Sequence, residues 1–160
     1  MKIRPATEQD VPAILDIVAP ILRAGDTYAI DSNMSDEDVI AYWMGKDKVT
    51  LVAEEDGKIV GTYYIRQNQG GGGSHVCNCG YMTSPAASGR GIARRMCEDS
   101  LIRAKDIGYR AMQFNFVIAS NAAAVHLWLK LGFEIIGRLP DAFMHPTLGE
   151  TDALVMYRKL

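Results

Sequence analysis

A strand pattern, a glycine-rich turn and a helix pattern follow one another directly between residues 74 and 107. The strand pattern covers 74–82, the helix pattern covers 94–107, and the turn over 85–93 reads Pro-Ala-Ala-Ser-Gly-Arg-Gly-Ile-Ala. Glycines let a backbone fold tightly and direct successive N–H groups inward, and a helix N-terminus adds the positive end of its dipole. The segment therefore predicts a binding site for an anion of the pyrophosphate kind, with a purely structural glycine turn as the alternative.

Hydrophobic periodicity divides the rest of the chain into strands and helices. Asp56-Gly57 joins two β-rich runs and is the strongest short hairpin signal, whereas Gly25 and Ser35 mark a helix end and a helix start. Residues 140–149 carry two prolines and a glycine and predict a loop. The expected strands are 2–5, 50–55, 58–67, 74–82, 111–118, 133–139 and 153–158, with two helices after the first strand and later helices at 94–107 and 121–131.

Length, charge and cysteine content limit the classes of function. A chain of 160 residues with 48% hydrophobic content predicts one globular domain, and a formal charge of −2 favours a small substrate over nucleic acid or an anionic membrane. The N-terminus lacks a secretory pattern and no apolar stretch approaches the roughly 20 residues that span a bilayer, so we expect a cytoplasmic protein. Cys77, Cys79 and Cys97 have no partner pair at zinc spacing, which predicts reduced packing residues and no metal.

A second segment, residues 121–133, reads Asn-Ala-Ala-Ala-Val-His-Leu-Trp-Leu-Lys-Leu-Gly-Phe. Together with the glycine-rich turn it resembles the GNAT acetyltransferases. In that family a loop of glutamine or arginine, two residues, glycine, one residue and glycine or alanine binds the pyrophosphate of acetyl-CoA. The pattern maps onto Ser88, Gly91 and Ala93, with serine at the first position and Arg90 as an alternative source of positive charge. The helix pattern maps onto Asn121, Ala124, Leu127, Lys130, Gly132 and Phe133.

The resemblance covers nearly the whole chain and implies an α/β (α+β) fold. We expect a mixed, mostly antiparallel sheet of about seven strands with helices on both faces. The strands at 74–82 and 111–118 should splay apart to admit the pantetheine arm of acetyl-CoA, the expected cosubstrate. The residues that the resemblance assigns to acetyl-CoA are Tyr81, Met82, Thr83, Ser88, Gly89, Arg90, Gly91, Ile92, Ala93, Asn121, Ala124 and Trp128.

Direct acetyl transfer needs a neutral amine, donors for the developing oxyanion and a proton for the leaving thiolate. Trp128 stands where many GNAT relatives carry a tyrosine, and its indole N–H donates a hydrogen bond without giving up its proton. Asn115 alternates with apolar residues on a central strand, which places its amide on one face. These two side chains are the predicted catalytic residues, with a structural hydrogen bond as the alternative for Asn115. His75 and His126 are interpreted as surface or structural residues.

No Asp or Glu lies in 74–82 or 111–118, where the family often places a base. We therefore expect a water held by Asn78, Asn115 or backbone carbonyls to accept the amine proton. A lysine-like amine with a pKa of about 10.4 requires roughly 4.6 kcal/mol to be neutral at pH 7, whereas an α-amino group near 7.8 requires about 1. A weak base thus favours a free amino acid, a protein N-terminus or another amine of low pKa.

The acceptor is expected to be a small-molecule amine. Segment 27–31 lies where GNAT proteins vary to suit their acceptors, so Tyr28 and Asp31 join Asn78 and Asn115 as candidate substrate-binding residues, whereas Tyr42 is interpreted as packing. The region 139–157 resembles a subgroup that acetylates small amino acids and proline analogues. Its Phe143-Met144 pair beside prolines predicts an apolar homodimer contact.

Three functions remain open from the sequence. The first is an acetyl-CoA-dependent N-acetyltransferase acting on a small amine, with an amino acid or analogue as the favoured acceptor. The second is a non-catalytic acyl-CoA-binding regulatory module, because the usual tyrosine and a clear base are missing. The third is a protein N-terminal acetyltransferase. Turnover separates the first function from the second, and a requirement for a peptide separates the third.

Overall fold

The computed structural model describes all 160 residues and confirms the expected order of elements. A seven-stranded sheet has the strand order β1-β2-β3-β4-β5-β7-β6. The strands are β1 Lys2–Pro5, β2 Lys48–Glu55, β3 Lys58–Gln67, β4 Val76–Thr83, β5 Ala111–Ile118, β6 Glu134–His145 and β7 Gly149–Lys159; the helices are α1 Val11–Ala24, α2 Asp36–Trp43, α3 Ile92–Ile107 and α4 Ala122–Lys130. No helix combines the length and the apolar character that a transmembrane span requires.

The β4–β5 pair is parallel, whereas every other neighbouring pair in the sheet is antiparallel. Its ladder consists only of Val76 opposite Ala111 and Cys77 opposite Met112. Beyond that point the two strands separate, as the splay prediction requires. The Asn78 side chain bridges the start of the gap, since its Nδ2 donates to the carbonyl oxygen of Gln113 at 2.8 Å.

Hydrophobic side chains cover both faces of the sheet and form two cores. One core joins the sheet to α3 and α4 and includes Met96, Met112 and Phe133. The other core joins the opposite face to α1 and α2 and includes Leu22 and Trp43. Alternation along each strand sends successive side chains to different faces. The sheet therefore separates an α3–α4 layer from an α1–α2 layer, and the β4–β5 gap connects them.

Local signals for turns and helix ends are confirmed. Gly25 and Gly108 follow α1 and α3 in the left-handed conformation, with φ of 66° and 109°. Asp56 and Gly57 have φ of 51° and 73°, which fits a two-residue hairpin turn with positive φ at both positions. Ser35 begins α2 by accepting a hydrogen bond from the backbone N–H of Asp38 at 3.1 Å.

The predicted loop at 140–149 is wrong for most of its length, because β6 continues to His145. Strand β6 lies at the sheet edge, where proline is tolerated since one row of N–H groups needs no partner. The register shifts between Leu139 and Phe143, and Asp141 adopts a positive φ of 51°. Phe143 packs against Phe116 and is buried, so only Met144 of the expected apolar tip is exposed.

Candidate active site

A cleft of about 850 Å³ follows the gap between β4 and β5. The glycine-rich loop lines one end, and the α1–α2 connection lines the other. Its size and its largely hydrophobic lining are typical of a small-molecule site. Most of the residues predicted to bind acetyl-CoA or the acceptor line this cleft, although they come from five separate segments of the chain.

The glycine-rich loop presents a row of free donors to the cleft. Gly89 and Gly91 both lie in the left-handed region, with φ of 76° and 75°, and Gly91 begins α3. The first backbone bond into the helix runs from Arg95 N–H to the carbonyl of Gly91, so the N–H groups from Gly89 through Arg94 have no protein acceptor. Converging N–H groups and the helix dipole form an anion site. This loop fits the expected pyrophosphate.

The positive side chain that lies beside the glycine-rich loop is not the one that the sequence predicted. Arg90 pairs with Glu55 at the end of β2 and does not line the cleft, so it is not placed over the free N–H groups. Arg94, in the first turn of α3, does line the cleft and pairs with Glu98 at 2.9 Å. The sequence interpretation missed Arg94, although a cation in the first helical turn after the glycines was a visible signal.

Helix α4 borders the cleft as predicted. The Asn121 side chain caps the helix by accepting from the N–H of Ala124 at 3.3 Å, and both residues line the cleft. Trp128 is 8% exposed, and its ring centroid lies 5.1 Å from those of Tyr81 and Phe114. The indole thus forms part of an aromatic wall of the cleft.

The Tyr28 hydroxyl forms hydrogen bonds with both backbone polar groups of Tyr81. It donates to the carbonyl oxygen of Tyr81 at 2.6 Å and accepts from the N–H of Tyr81 at 3.2 Å. Burial raises the pKa of Tyr28, so the hydroxyl keeps its proton at neutral pH. Of the backbone groups expected to meet the pantetheine and the thioester, those of Tyr81 are therefore satisfied by a side chain from the α1–α2 layer.

Amide side chains lie on the α1–α2 side of the gap. Asn115 donates from Nδ2 to Asn68 Oδ1 at 2.7 Å and accepts at Oδ1 from Gln113 Nε2 at 2.9 Å. Asn78 and Asn115 both line the cleft. Hydrogen bonds hold both amides in place on the cleft wall, and those of Asn115 go to side chains rather than to neighbouring backbone, so both interpretations of Asn115 stay open.

An aromatic and cationic group borders the same end of the cleft. The hydroxyls of Tyr42 and Tyr64 lie 3.4 Å apart, and both rings line the cleft, so the packing interpretation of Tyr42 was incomplete. Lys48 Nζ lies 4.8 Å from the ring centroid of Tyr42 and 5.4 Å from that of Tyr64. Arg66 lines the cleft from β3 and was also missed by the sequence interpretation.

Three other candidates have clear positions. Asp31 is exposed and outside the cleft, and its carboxylate accepts from the N–H of Asn33 at 2.9 Å in a local turn. The structure therefore does not bring it together with the other predicted acceptor-binding residues. His75 precedes β4, and its carbonyl accepts from the N–H of Arg110 at 2.8 Å. His126 is exposed at the edge of the cleft. No Asp or Glu lines the cleft, so it contains no carboxylate base.

Comparison with known proteins places this architecture in one family. The model of the acetyltransferase (GNAT) family matches residues 15–133. The N-acetyltransferase aca1 of Schizosaccharomyces pombe is 28% identical over 137 residues, a match that covers 76% of this chain and 66% of that protein, slightly under two thirds of its length.

Solved structures show the same relation. A GCN5-related N-acetyltransferase from Kribbella flavida superimposes with a TM-score of 0.94 and 42% identity over 99% of this chain and 97% of that chain. A ribosomal-protein-alanine N-acetyltransferase from Brucella melitensis superimposes with a TM-score of 0.85 and 26% identity over the whole of both chains. The family match spans most of the chain and agrees with the splayed sheet and the loop of free N–H groups. The chain belongs to the GNAT family of acetyltransferases, which use acetyl-CoA as the acetyl donor.

Proposed function

We propose that the protein transfers an acetyl group directly from acetyl-CoA to the amine of a small molecule, with an amino acid or a close analogue as acceptor. One observation carries this proposal. A single cleft joins the free N–H groups of the glycine-rich loop to the polar, aromatic end bounded by the α1–α2 layer. Donor and acceptor can therefore approach from opposite ends and meet where β4 and β5 separate.

At the donor end, the proposed roles follow the geometry. The N–H groups from Gly89 through Arg94 hold the pyrophosphate, and the side chain of Arg94 adds positive charge beside them. The backbone of 81–83 binds the pantetheine, and Trp128 limits the space around it. The N–H of Tyr81 polarises the thioester carbonyl once the Tyr28 hydroxyl has moved away from it.

At the acceptor end, the cleft offers no Asp or Glu side chain as a base, which limits the kind of amine that can be acetylated. The acceptor must reach the neutral form without help from an Asp or Glu in the cleft. A peptide-type α-amino group with a pKa near 7.8 meets this condition at a cost of about 1 kcal/mol at pH 7, compared with roughly 4.6 for a lysine side chain. A free amino acid lies between the two, because its own carboxylate raises the pKa of the amine. We assign the binding of the acceptor to the amides of Asn78 and Asn115, and the acceptance of its proton to a water that these amides or backbone carbonyls hold.

A protein N-terminus is the second candidate acceptor. The Brucella melitensis neighbour, a ribosomal-protein-alanine N-acetyltransferase, is 26% identical over the whole chain. An N-terminal α-amino group has a pKa of about 7.7–8.0, lower than that of a free amino acid, whose own carboxylate stabilises the ammonium form, so the carboxylate-free cleft suits it as well or better. The two acceptors differ in the group next to the amine-bearing carbon: a carboxylate in the free amino acid and a peptide chain in the protein.

The test is the loss of thioester absorbance from acetyl-CoA across a panel of free amino acids, proline analogues, polyamines, aminoglycosides and N-terminal peptides. We expect turnover with amino acids or analogues and none with polyamines. Turnover restricted to peptides would assign the second function. Acetyl-CoA binding without turnover of any amine would refute enzymatic transfer to these acceptors and favour a binding module.

We also propose that the protein forms a homodimer through edge strand β6. Ile136 is 56% exposed and Met144 is 67% exposed on this strand, and an unpaired edge with apolar side chains associates readily. Sedimentation should give a dimer that Ile136→Lys converts to a monomer. A monomeric wild type, or a dimer insensitive to that change, would contradict the assignment.

A further inference from the structure

We propose that Arg66, supported by the buried ammonium of Lys48, forms a subsite for the carboxylate of the acceptor. The inference rests on the proposed function and identifies the acceptor as an amine that carries a carboxylate. It concerns the wall of the cleft that faces the α1–α2 layer, and it uses side chains to which the sequence patterns assign no role.

Two cations share one carboxylate at this wall. Lys48 and Arg66 are register partners on β2 and β3. Lys48 Nζ lies 3.1 Å from Asp47, and Arg66 Nη1 lies 3.8 Å from the same carboxylate. Only 5% of the Lys48 side chain is exposed, so water screens its charge weakly. The group therefore has an excess of positive charge beside the cleft.

Arg66 retains an unused hydrogen-bond donor. Its Nε is the only buried side-chain nitrogen or oxygen in the protein that has no hydrogen-bond partner. Buried polar atoms normally have partners, and an exception calls for a ligand or another explanation. A guanidinium matches a carboxylate with two parallel N–H donors, which makes a carboxylate the natural partner of this side chain.

The polar groups around Arg66 are less suited to bind a carboxylate. The amides of Asn78 and Asn115 are bonded to Gln113 and Asn68, whereas Arg66, opposite Asn78 in the sheet, has a free donor. The aromatic rings of Tyr42 and Tyr64 lie over Lys48 and keep its charge in place. No acidic side chain lines the cleft to repel a substrate carboxylate or to attract a polycation.

The test combines an Arg66→Gln variant with a pair of acceptors, an amino acid turned over by the wild type and the carboxamide of the same amino acid. Removing a charge-assisted hydrogen bond to the carboxylate should lower kcat/KM for the acid by about 10- to 100-fold. The loss for the carboxamide should be less than about 3-fold, and the KM for acetyl-CoA should not change. Arg66→Lys should recover part of the preference for the acid, because it restores the charge without the planar fork.

Arg110→Gln is the matched control, since it removes one positive charge from an exposed position outside the cleft. It should leave the preference for the acid unchanged. Melting curves identify a variant that fails to fold, and calorimetric binding of the acid and the carboxamide to the CoA-bound protein gives a readout that needs no turnover. Equal losses for the acid and the carboxamide in Arg66→Gln would overturn the subsite alone. Absence of turnover with every small amine would instead refute the proposed function, and the subsite with it.

Discussion

Replacing Gly91 by valine tests whether the glycine-rich loop holds the pyrophosphate. Gly91 has φ of 75° and begins α3. A β-branched residue is a strong outlier in this region, and the left-handed conformation costs an L-residue roughly 1–2 kcal/mol. The backbone should relax toward negative φ, so the N–H groups from Gly89 through Arg94 would no longer converge. Losing one charge-assisted hydrogen bond removes about 1.5–3 kcal/mol, which is about 10- to 100-fold in acetyl-CoA affinity.

Gly57→Val is the matched control, because it imposes the same strain at a position that does not line the cleft. Gly57 has φ of 73° in the β2–β3 hairpin, and a Cβ at either glycine would meet no heavy atom within 4 Å. Strain of roughly 1–2 kcal/mol should lower Tm by about 2–8 °C in both variants. Calorimetric titration with acetyl-CoA should show weak binding for Gly91→Val alone. Equal affinities in the two folded variants would refute the assignment of the loop.

Tyr28→Phe should destabilise the free protein by about 1 kcal/mol, because it removes the hydroxyl that bonds the backbone N–H and carbonyl of Tyr81. Since the same backbone groups then become free, acetyl-CoA should bind with unchanged affinity or up to about 5-fold more tightly. Weaker binding by calorimetry would contradict this. Asn115→Ala should raise the KM for the acceptor and preserve acetyl-CoA affinity, and equal losses of both would indicate a structural role. Hydrogen bonds from Arg4 hold the pKa of Asp10 well below its usual range, so this pair stabilises the fold above pH 4 and loses its effect as the pH falls below about 4. Asp10→Asn should therefore lower the free energy of unfolding by about 1–3 kcal/mol at pH 7, a range that already allows for the partial exposure of Arg4. Urea unfolding at pH 2–3 should show a smaller difference between variant and wild type. A difference as large as that at pH 7 would contradict this prediction.

Features set by neighbouring residues were predictable from the sequence. The positive φ of Gly25, the cap at Asn121 and the hairpin at Asp56-Gly57 depend on backbone geometry within a few residues. The glycine-rich loop belongs to the same class, because the chain bends and the helix starts within one short segment. Each of these predictions relied on conformational preferences that do not require knowledge of the rest of the fold.

Features set by strand register and distant contacts were not predictable in the same way. Arg90 was expected beside the phosphates, but its partner Glu55 lies at the end of β2, 35 residues earlier in the chain. Register alone brings Lys48 opposite Arg66, and Tyr28 meets the backbone of Tyr81 across 53 positions of sequence. The prolines at 140–149 indicate a loop unless the strand is known to lie at an edge, which is a property of the whole sheet.

All three cysteine side chains are buried, and this determines how the protein behaves toward thiol reagents. Burial raises the pKa of Cys97 to about 12 and raises that of Cys79 well above its usual value. Thiolates, not thiols, attack an aromatic disulfide dye, which slows the reaction of Cys79 and Cys97, and burial shields all three cysteines from the dye in the folded protein. The free thiol of released CoA reacts at once. The same dye therefore counts acetyl transfer during the first minutes and, once denaturant is added, reports unfolding through the newly exposed cysteines.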